Sequence, residues 1–482
     1  MIFPKFNFFG LSFIFLVPFL WYLLKNPSKS KREVFLKSWL AGTGGNVIMF
    51  YWIFYPLKLS GAGLVGSAAG VLFLGLYLGL YWGLFGLFVR YAKKNRVPAI
   101  VFLIPATWVL LEFIKAHFLT GFPWLLTGYS LWRIPHLIQI ADITGVYGLS
   151  YFVVFINTVL AFAILNKTLK PFLKAVPVFI LVMLYPYSVD IETENKEPYR
   201  VSILQGNISQ YEKWDSVYKQ NILNTYRKLH QKAVEYEPHF IVWPETSLPG
   251  VLVRNPDLVD YVKNLSKKSG AVEIIGSVEQ DRTNTYNSVY FVYRGDISLP
   301  YRKVHLTPFG EYIPLRPFFS LFIDIVNQIG DFKPGDHIVP RKARDFYVGT
   351  AICFESIFPY ISREFFNQGA QLYVNITNDG WFLDSAGPEQ HFIHSVFRAV
   401  ENRRYAVRAA NTGVSGIITP SGEVEKRTPL RETGVLNGIV YRSDSQTFYM
   451  KYGDVFAYFC IIAWGVVMIL KGYKINVKQE SV

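Results

Sequence analysis

Two cysteines in 482 residues leave little room for disulfide or metal chemistry. Cys353 and Cys460 stand in unlike surroundings, and neither has a neighbour at zinc-ligand spacing. That argues against a disulfide scaffold, and Cys460, inside an apolar run, reads as a small apolar filler. Acidic residues are short too, but only in places. Residues 1–190 hold 16 Lys and Arg against 4 Asp and Glu, residues 451–482 hold 4 against 2, and residues 191–450 hold 29 of each. The formal charge of +14 therefore belongs to the hydrophobic flanks, and the central block is neutral. Basic residues flanking apolar runs set membrane orientation, so no nucleic-acid partner is expected. Repeats and low-complexity tracts are absent from the sequence, which argues against a solenoid.

Apolar residues make up 51% of the chain and aromatics 17%, too much for an ordinary soluble protein. About 20 apolar residues cross a bilayer core as a helix. Six such spans are expected before residue 190, at about 6–24, 36–57, 63–89, 99–117, 146–166 and 171–187, with a seventh near 453–470. Gly75, Gly79 and Gly83 carry the small-residue spacing that lets helices approach closely, although glycine without a partner is an equal reading. Alternate loops are basic: Lys25 to Arg32, Arg90 to Arg96, Lys167 to Lys174, and Lys471 to Lys478. Those loops belong in the cytoplasm, which puts the polar block between spans six and seven on the outer face. The first apolar run has no small-residue cleavage site and reads as an anchor. On the same outer side, residues 119–129 form an aromatic stretch broken by Pro and Gly that contains Trp124. It reads equally as an interfacial belt and as a surface for lipid substrate.

The expected organisation is a transmembrane bundle over 1–190, an extracytoplasmic catalytic domain over 195–447, a transmembrane helix over 450–472 and a cytoplasmic tail over 473–482. Within the polar block, strand-like runs at 201–205, 240–243, 274–277, 288–292 and 347–352 alternate with helical patterns, indicating a mixed α/β layer domain. Three stretches at strand ends carry chemistry. Glu245 follows a buried run that Pro244 stops, Lys303 precedes a Pro- and Gly-rich stretch, and Cys353 ends an apolar strand. A carboxylate can take a thiol proton, and a cation can steady the oxyanion that follows. Each residue alone also has a plain structural reading, as cap, surface charge or buried thiol. His391 and His394 have helical i, i+3 spacing but no third ligand, so no metal is expected.

Several motifs raise this reading. Leu204-Gln205-Gly206-Asn207, Lys213-Trp214-Asp215, Trp243-Pro244-Glu245-Thr246, Tyr286-Asn287-Ser288, the run Lys303 to Tyr312, Cys353-Phe354-Glu355, Asn378-Asp379-Gly380-Trp381 and Arg398 to Arg403 stand in one order. Together they resemble the nitrilase, or carbon–nitrogen hydrolase, superfamily. With the multi-span N-terminal region, the last span and Thr120-Gly121-Phe122-Pro123-Trp124, the whole chain resembles the apolipoprotein N-acyltransferases. The resemblance implies an α-helical membrane bundle plus an αββα sandwich, with Glu245 as general base, Lys303 at the oxyanion and Cys353 as nucleophile. It implies supporting roles for Glu311, Glu355, Glu401 and Asn287, and substrate-binding roles for Trp214, Trp381 and Trp124. The implied donor is a phospholipid, phosphatidylethanolamine first. The implied acceptor is a diacylated apolipoprotein, and the setting is the bacterial inner membrane with the catalytic domain facing the periplasm. No metal or soluble cofactor is required. The family has eight spans where seven are expected here, which would place this N-terminus outside. Two rivals share part of the pattern: a membrane-tethered amidase or nitrilase with the same triad, and a transporter, for which Glu112 and Lys115 are the candidate intramembrane charges.

Overall fold

The computed structural model describes residues 2–97, 99–189, 197–213, 215–314, 316 and 332–480, and it divides into two compact units. The first comprises residues 1–54, 65–190 and 452–482; the second comprises 55–64 and 191–451. Trp214 and the expected junction at 190–195 fall outside the described residues.

Where water is scarce a backbone must satisfy its own hydrogen bonds, so the apolar runs of the first unit are helices. These are α1 (Val17–Lys25), α2 (Lys31–Met49), α3 (Gly63–Lys94), α4 (Ile100–His117), α5 (Ala141–Asn166) and α6 (Lys170–Leu184). Among the described residues α3, α4 and α5 are long and apolar enough to cross a membrane, and Phe9–Lys25, Ala175–Ser188 and Val455–Leu470 are shorter apolar stretches. The run expected over 36–57 is instead helical from Lys31, because Ser30 caps the helix by accepting from the Glu33 N–H at 3.1 Å. Hydropathy marks where a chain is apolar, not where its helix is capped. The glycine spacing on α3 has a partner, since α2 lies against it. A Cβ at Gly79 would sit 2.8 Å from the Trp39 carbonyl, and one at Gly83 2.6 Å from the Phe35 ring. Glu112 and Lys115 are tied to residues 124–127. The Glu112 carboxylate accepts from Thr127 N at 2.7 Å, Thr127 Oγ1 at 2.8 Å and Trp108 Nε1 at 3.0 Å, while Lys115 Nζ donates to the Trp124 carbonyl at 3.3 Å.

The second unit contains two sheets. Its strands are β1 (Pro198–Gln205), β2 (Phe240–Val242), β3 (Val272–Gln280), β4 (Thr285–Tyr293), β5 (Asp296–Ile297), β6 (Tyr301–Arg302), β7 (Arg341–Ala343), β8 (Phe346–Ile352), β9 (Leu372–Thr377), β10 (Ala406–Ala410), β11 (Gly416–Ile418), β12 (Val424–Arg427) and β13 (Gly434–Tyr441). One sheet runs β13-β1-β2-β3-β4-β5 with β6 on β4; the other runs β12-β11-β10-β9-β8-β7. In each, three consecutive strands are parallel, β1-β2-β3 and β8-β9-β10, and the rest are antiparallel. The sheets face each other: Ser415 Oγ donates to Gln205 Oε1 at 2.6 Å, and the Ile376 Cδ1 methyl lies 2.8 Å from where a Gly276 Cβ would stand. Helices α7 (Lys219–Val234) and α8 (Pro256–Ser269) bury Ile222, Tyr226, Leu258 and Val262 against the first sheet. Helices α9 (Pro359–Asn367) and α10 (Gly387–Asn402) cover the second. The result is an αββα sandwich, as expected. Helix α11 (Val455–Glu480) returns to the first unit.

Candidate active site

Parallel strands bring their carboxyl ends to one edge, and open α/β sheets gather their sites there. Glu245 lies three residues beyond β2, Cys353 directly follows β8, and Lys303 follows β6. The turn bearing Glu245 is pressed against Gly276 of β3, whose missing side chain is required. A Cβ there would fall 2.5 Å from the Pro244 carbonyl and 2.7 Å from Glu245 Cα. Thr246, next in the chain, adopts φ +43°, in the left-handed region. Cys353 does the same at φ +52°. A strained turn carrying a thiol is a recurrent feature of functional sites.

The Glu245 carboxylate is buried and held at both oxygens. Oε1 accepts from Asn287 Nδ2 at 2.7 Å, and Oε2 accepts from the Asn378 N–H at 2.7 Å. Asn287, in β4, gives its amide also to Glu311 Oε1 at 2.8 Å. Glu311 Oε2 in turn accepts from Lys303 Nζ at 2.6 Å and from Thr307 N at 2.7 Å. Lys303 Nζ also donates to Thr307 Oγ1 at 3.1 Å. Glu245, Asn287, Glu311 and Lys303 therefore form one hydrogen-bonded chain.

Cys353 keeps part of its surface open and lies within the electrostatic reach of Glu245 and Lys303. Desolvation pushes its thiol up, the Glu245 charge adds to this, and Lys303 opposes it. Burial also raises Glu245 above the usual carboxylate range despite Lys303. For Lys303, burial favours the neutral amine, but the Glu311, Cys353 and Glu245 charges outweigh it and hold the ammonium protonated. Burial opposes ionisation of Glu311, yet Lys303 keeps its pKa below the ordinary value. A thiol that retains its proton, a carboxylate with raised proton affinity and a fixed ammonium together suit nucleophilic acyl chemistry.

Glu355 stands behind this chain. Fully buried, it accepts from Ile352 N at 2.8 Å, Val304 N at 2.7 Å, His305 N at 3.2 Å and Tyr301 OH at 2.9 Å, and burial pushes it up to about 7. Glu401 pairs with Arg398 at 2.8 Å, and Arg398 Nη1 donates to the Ser356 and Ile357 carbonyls at 3.3 Å each. Through Arg398, Glu401 is tied to the turn after Cys353. Trp381 is half-buried in the short turn Asp379–Phe382. Trp124 belongs to the first unit, where its ring centroid lies 5.0 Å from that of Trp52 and 6.2 Å from that of Phe122.

Some neighbours were given no site role from the sequence. Lys213, buried, donates to the Glu245 carbonyl at 2.9 Å, and burial pulls it down to about 8. Behind Cys353 sit Asp379, His391 and Arg408, all buried. His391 Nε2 lies 3.1 Å from the Cys353 carbonyl. Among the described residues no three His, Cys, Asp or Glu side chains are grouped to hold a metal. Arg408 lies mid-strand with nothing local to mark it.

This sandwich, with a cysteine at a strained strand end, is a domain of the carbon–nitrogen hydrolase class, joined to a helical membrane unit. The carbon–nitrogen hydrolase family model matches residues 200–448, and the model of the apolipoprotein N-acyltransferase N-terminal domain matches residues 1–159. An apolipoprotein N-acyltransferase of Geobacter metallireducens is 36% identical over 480 residues, covering 96% of this chain and 91% of the relative. One of Wigglesworthia glossinidia brevipalpis is 31% identical over 469 residues, covering 93% and 90%. Among solved structures, a CN-hydrolase superfamily protein of Xanthomonas campestris aligns at 16% identity and TM-score 0.41, over 51% of this chain and 91% of that one. The chain belongs to the apolipoprotein N-acyltransferase family.

Proposed function

We propose that this protein transfers an acyl chain from a phospholipid to the α-amino group of the N-terminal cysteine of an apolipoprotein, through a thioester on Cys353. The observation that carries the reading is the chain of hydrogen bonds from Glu245 through Asn287 and Glu311 to Lys303, with Cys353 in electrostatic reach, in a chain of this family.

In the first half-reaction Glu245 takes the thiol proton as Sγ attacks the ester carbonyl. The oxyanion forms against the Lys303 ammonium, the ester C–O bond breaks, and the lysophospholipid leaves with the proton from Glu245. In the second, the neutral amine attacks the thioester, the C–N bond forms, the C–S bond breaks, and the amine proton returns through Glu245 to Sγ. Phosphatidylethanolamine is the proposed donor and a diacylglyceryl-cysteine the proposed acceptor. Both carry acyl chains whose extraction into water costs about 0.8 kcal/mol per methylene, so a membrane-seated enzyme suits them. The alternation of basic loops supports the inner membrane, with the domain over 195–447 on the periplasmic face between the bundle over 1–190 and the helix over 450–472. Asn287 and Glu311 keep the charged groups in place. Trp381, Trp124 and Trp214 are proposed contacts for substrate, and Glu355 and Glu401 brace the turns.

Intact-mass spectrometry after incubation with phosphatidylethanolamine tests this, with Cys353→Ala alongside. A hydroxylamine-sensitive gain of one acyl chain, absent from the variant, is expected. No adduct on folded wild type across several phospholipids would favour hydrolysis of a small C–N substrate instead.

A further inference from the structure

The His391, Asp379 and Arg408 side chains form a buried array that the mechanism above does not use. Arg408 Nη2 lies 2.9 Å from Asp379 Oδ2 and 2.9 Å from His391 Nδ1, and Arg408 Nη1 donates to Asn375 Oδ1. Asp379 Oδ1 accepts from Thr377 Oγ1 at 3.0 Å and lies 2.8 Å from His391 Nδ1. The opposite ring nitrogen, His391 Nε2, is 3.1 Å from the Cys353 carbonyl and 3.0 Å from Ser356 Oγ. A carbonyl oxygen only accepts and a guanidinium only donates, so the Cys353 and Arg408 contacts together place the ring proton on Nε2. Asp379 Oδ1 then faces a bare Nδ1 at 2.8 Å, a repulsion offset by the Arg408 guanidinium, which lies 2.9 Å from both side chains. Burial and then the Arg408 charge hold His391 below the ordinary imidazole range, against the opposing pull of the Asp379 carboxylate.

The group held this way is the peptide between Cys353 and Phe354. A trans peptide is planar, so fixing its C=O fixes the Phe354 N–H antiparallel to it. The N–H after a nucleophile is a position from which acyl-transfer sites draw an oxyanion donor. Cys353 sits at φ +52°, a conformation that a non-glycine residue keeps only where its surroundings impose it.

We propose that His391, backed by Arg408 and Asp379, is a positioning residue that orients the Cys353–Phe354 peptide, so that the nucleophile's turn presents its N–H to the oxyanion. The inference rests on Cys353 being the nucleophile.

The test uses the full-length protein in detergent with phosphatidylethanolamine and follows the rate of Cys353 acylation by intact mass. Three variants are compared: His391→Phe, which keeps a ring without a donor; His391→Gln, whose amide can donate from the Nε2 position; and Ser356→Ala, which removes the other partner of Nε2. Removing one oxyanion donor costs about 10²–10³-fold, so misdirecting one should slow H391F about tenfold or more. H391Q should recover most of that rate and S356A should stay near wild type. Alkylation of Cys353 by iodoacetamide needs no oxyanion donor and should stay within about threefold in H391F, which a merely disordered site would not show. Acylation of H391F at the wild-type rate overturns the proposal, as does a tenfold loss in S356A, which remains readable if H391F does not fold. Acylation that survives Cys353→Ala would refute the nucleophile assignment, an outcome distinct from either.

Discussion

Glu311→Gln removes one charge and almost no volume from the centre of the site. The carboxylate now accepts from Lys303, Thr307 and Asn287. A glutamine oxygen can keep Lys303 and Thr307 only by turning its NH2 towards the Asn287 amide, donor against donor. The opposite rotamer sets NH2 against Lys303 and Thr307. Leaving one partner of a buried ion pair uncompensated costs about 3–5 kcal/mol. Because Lys303 also feels Glu245, the lower end, about 3 kcal/mol, is expected by urea melting. Acylation of Cys353 should fall about 10²-fold, the scale of a lost oxyanion contact. The pH dependence has a definite sign. Glu311 is lowered in the folded chain, so its contribution is present above the free carboxylate value near 4.3 and is lost as pH falls through the lower folded value. Lys303 is raised, so its contribution is present below the free lysine value near 10.4 and is lost above it. The difference in stability between wild type and E311Q should therefore be flat from about pH 5 to 10 and shrink outside that window. A folded E311Q that acylates within threefold of wild type would refute the argument.

Asn287→Ala removes the side chain that joins Glu245 to Glu311 and leaves two carboxylates without their shared donor. Single-turnover acylation should fall about 10²-fold, with the rate optimum moved to higher pH as Glu245 holds its proton more tightly. Gly276→Ala places a methyl against the Glu245 turn and should cost about 1–3 kcal/mol and tenfold or more in acylation; a wild-type melt and rate would disprove the close approach. Glu273 is fully buried and accepts from Trp243 Nε1, His230 and Ser269 Oγ, each at 2.8 Å. Glu273→Leu strands those donors and should lower stability by about 3 kcal/mol, while the protein that stays folded acylates normally.

Glu245, Lys303 and Cys353 stood out as candidates in the sequence because each follows a strand and sits in a motif. The layered sandwich was legible from the alternation of strands and helices. Asn287 and Glu311 were marked by motif, but their shared contact is a fact of pairing between β4 and a loop 24 residues on, which no local pattern reports. Arg408 reaches Asp379 from the neighbouring strand β10, and its neighbours in sequence are apolar. In the helical unit, composition located the apolar runs, while the cap at Ser30 determined where α2 begins. The partner of the α3 glycines emerged only from packing.

Lys303 hangs from one sheet and Cys353 from the other. The Glu355 carboxylate touches the strand end of each, gripping Ile352 N on one side and Tyr301, Val304 and His305 on the other. It therefore works as a dowel between two plates. Sliding of the sheets, under pressure or heat, would be registered between Lys303 and Cys353 while the rest of the sandwich still held together, so on the proposed mechanism activity would be lost before shape.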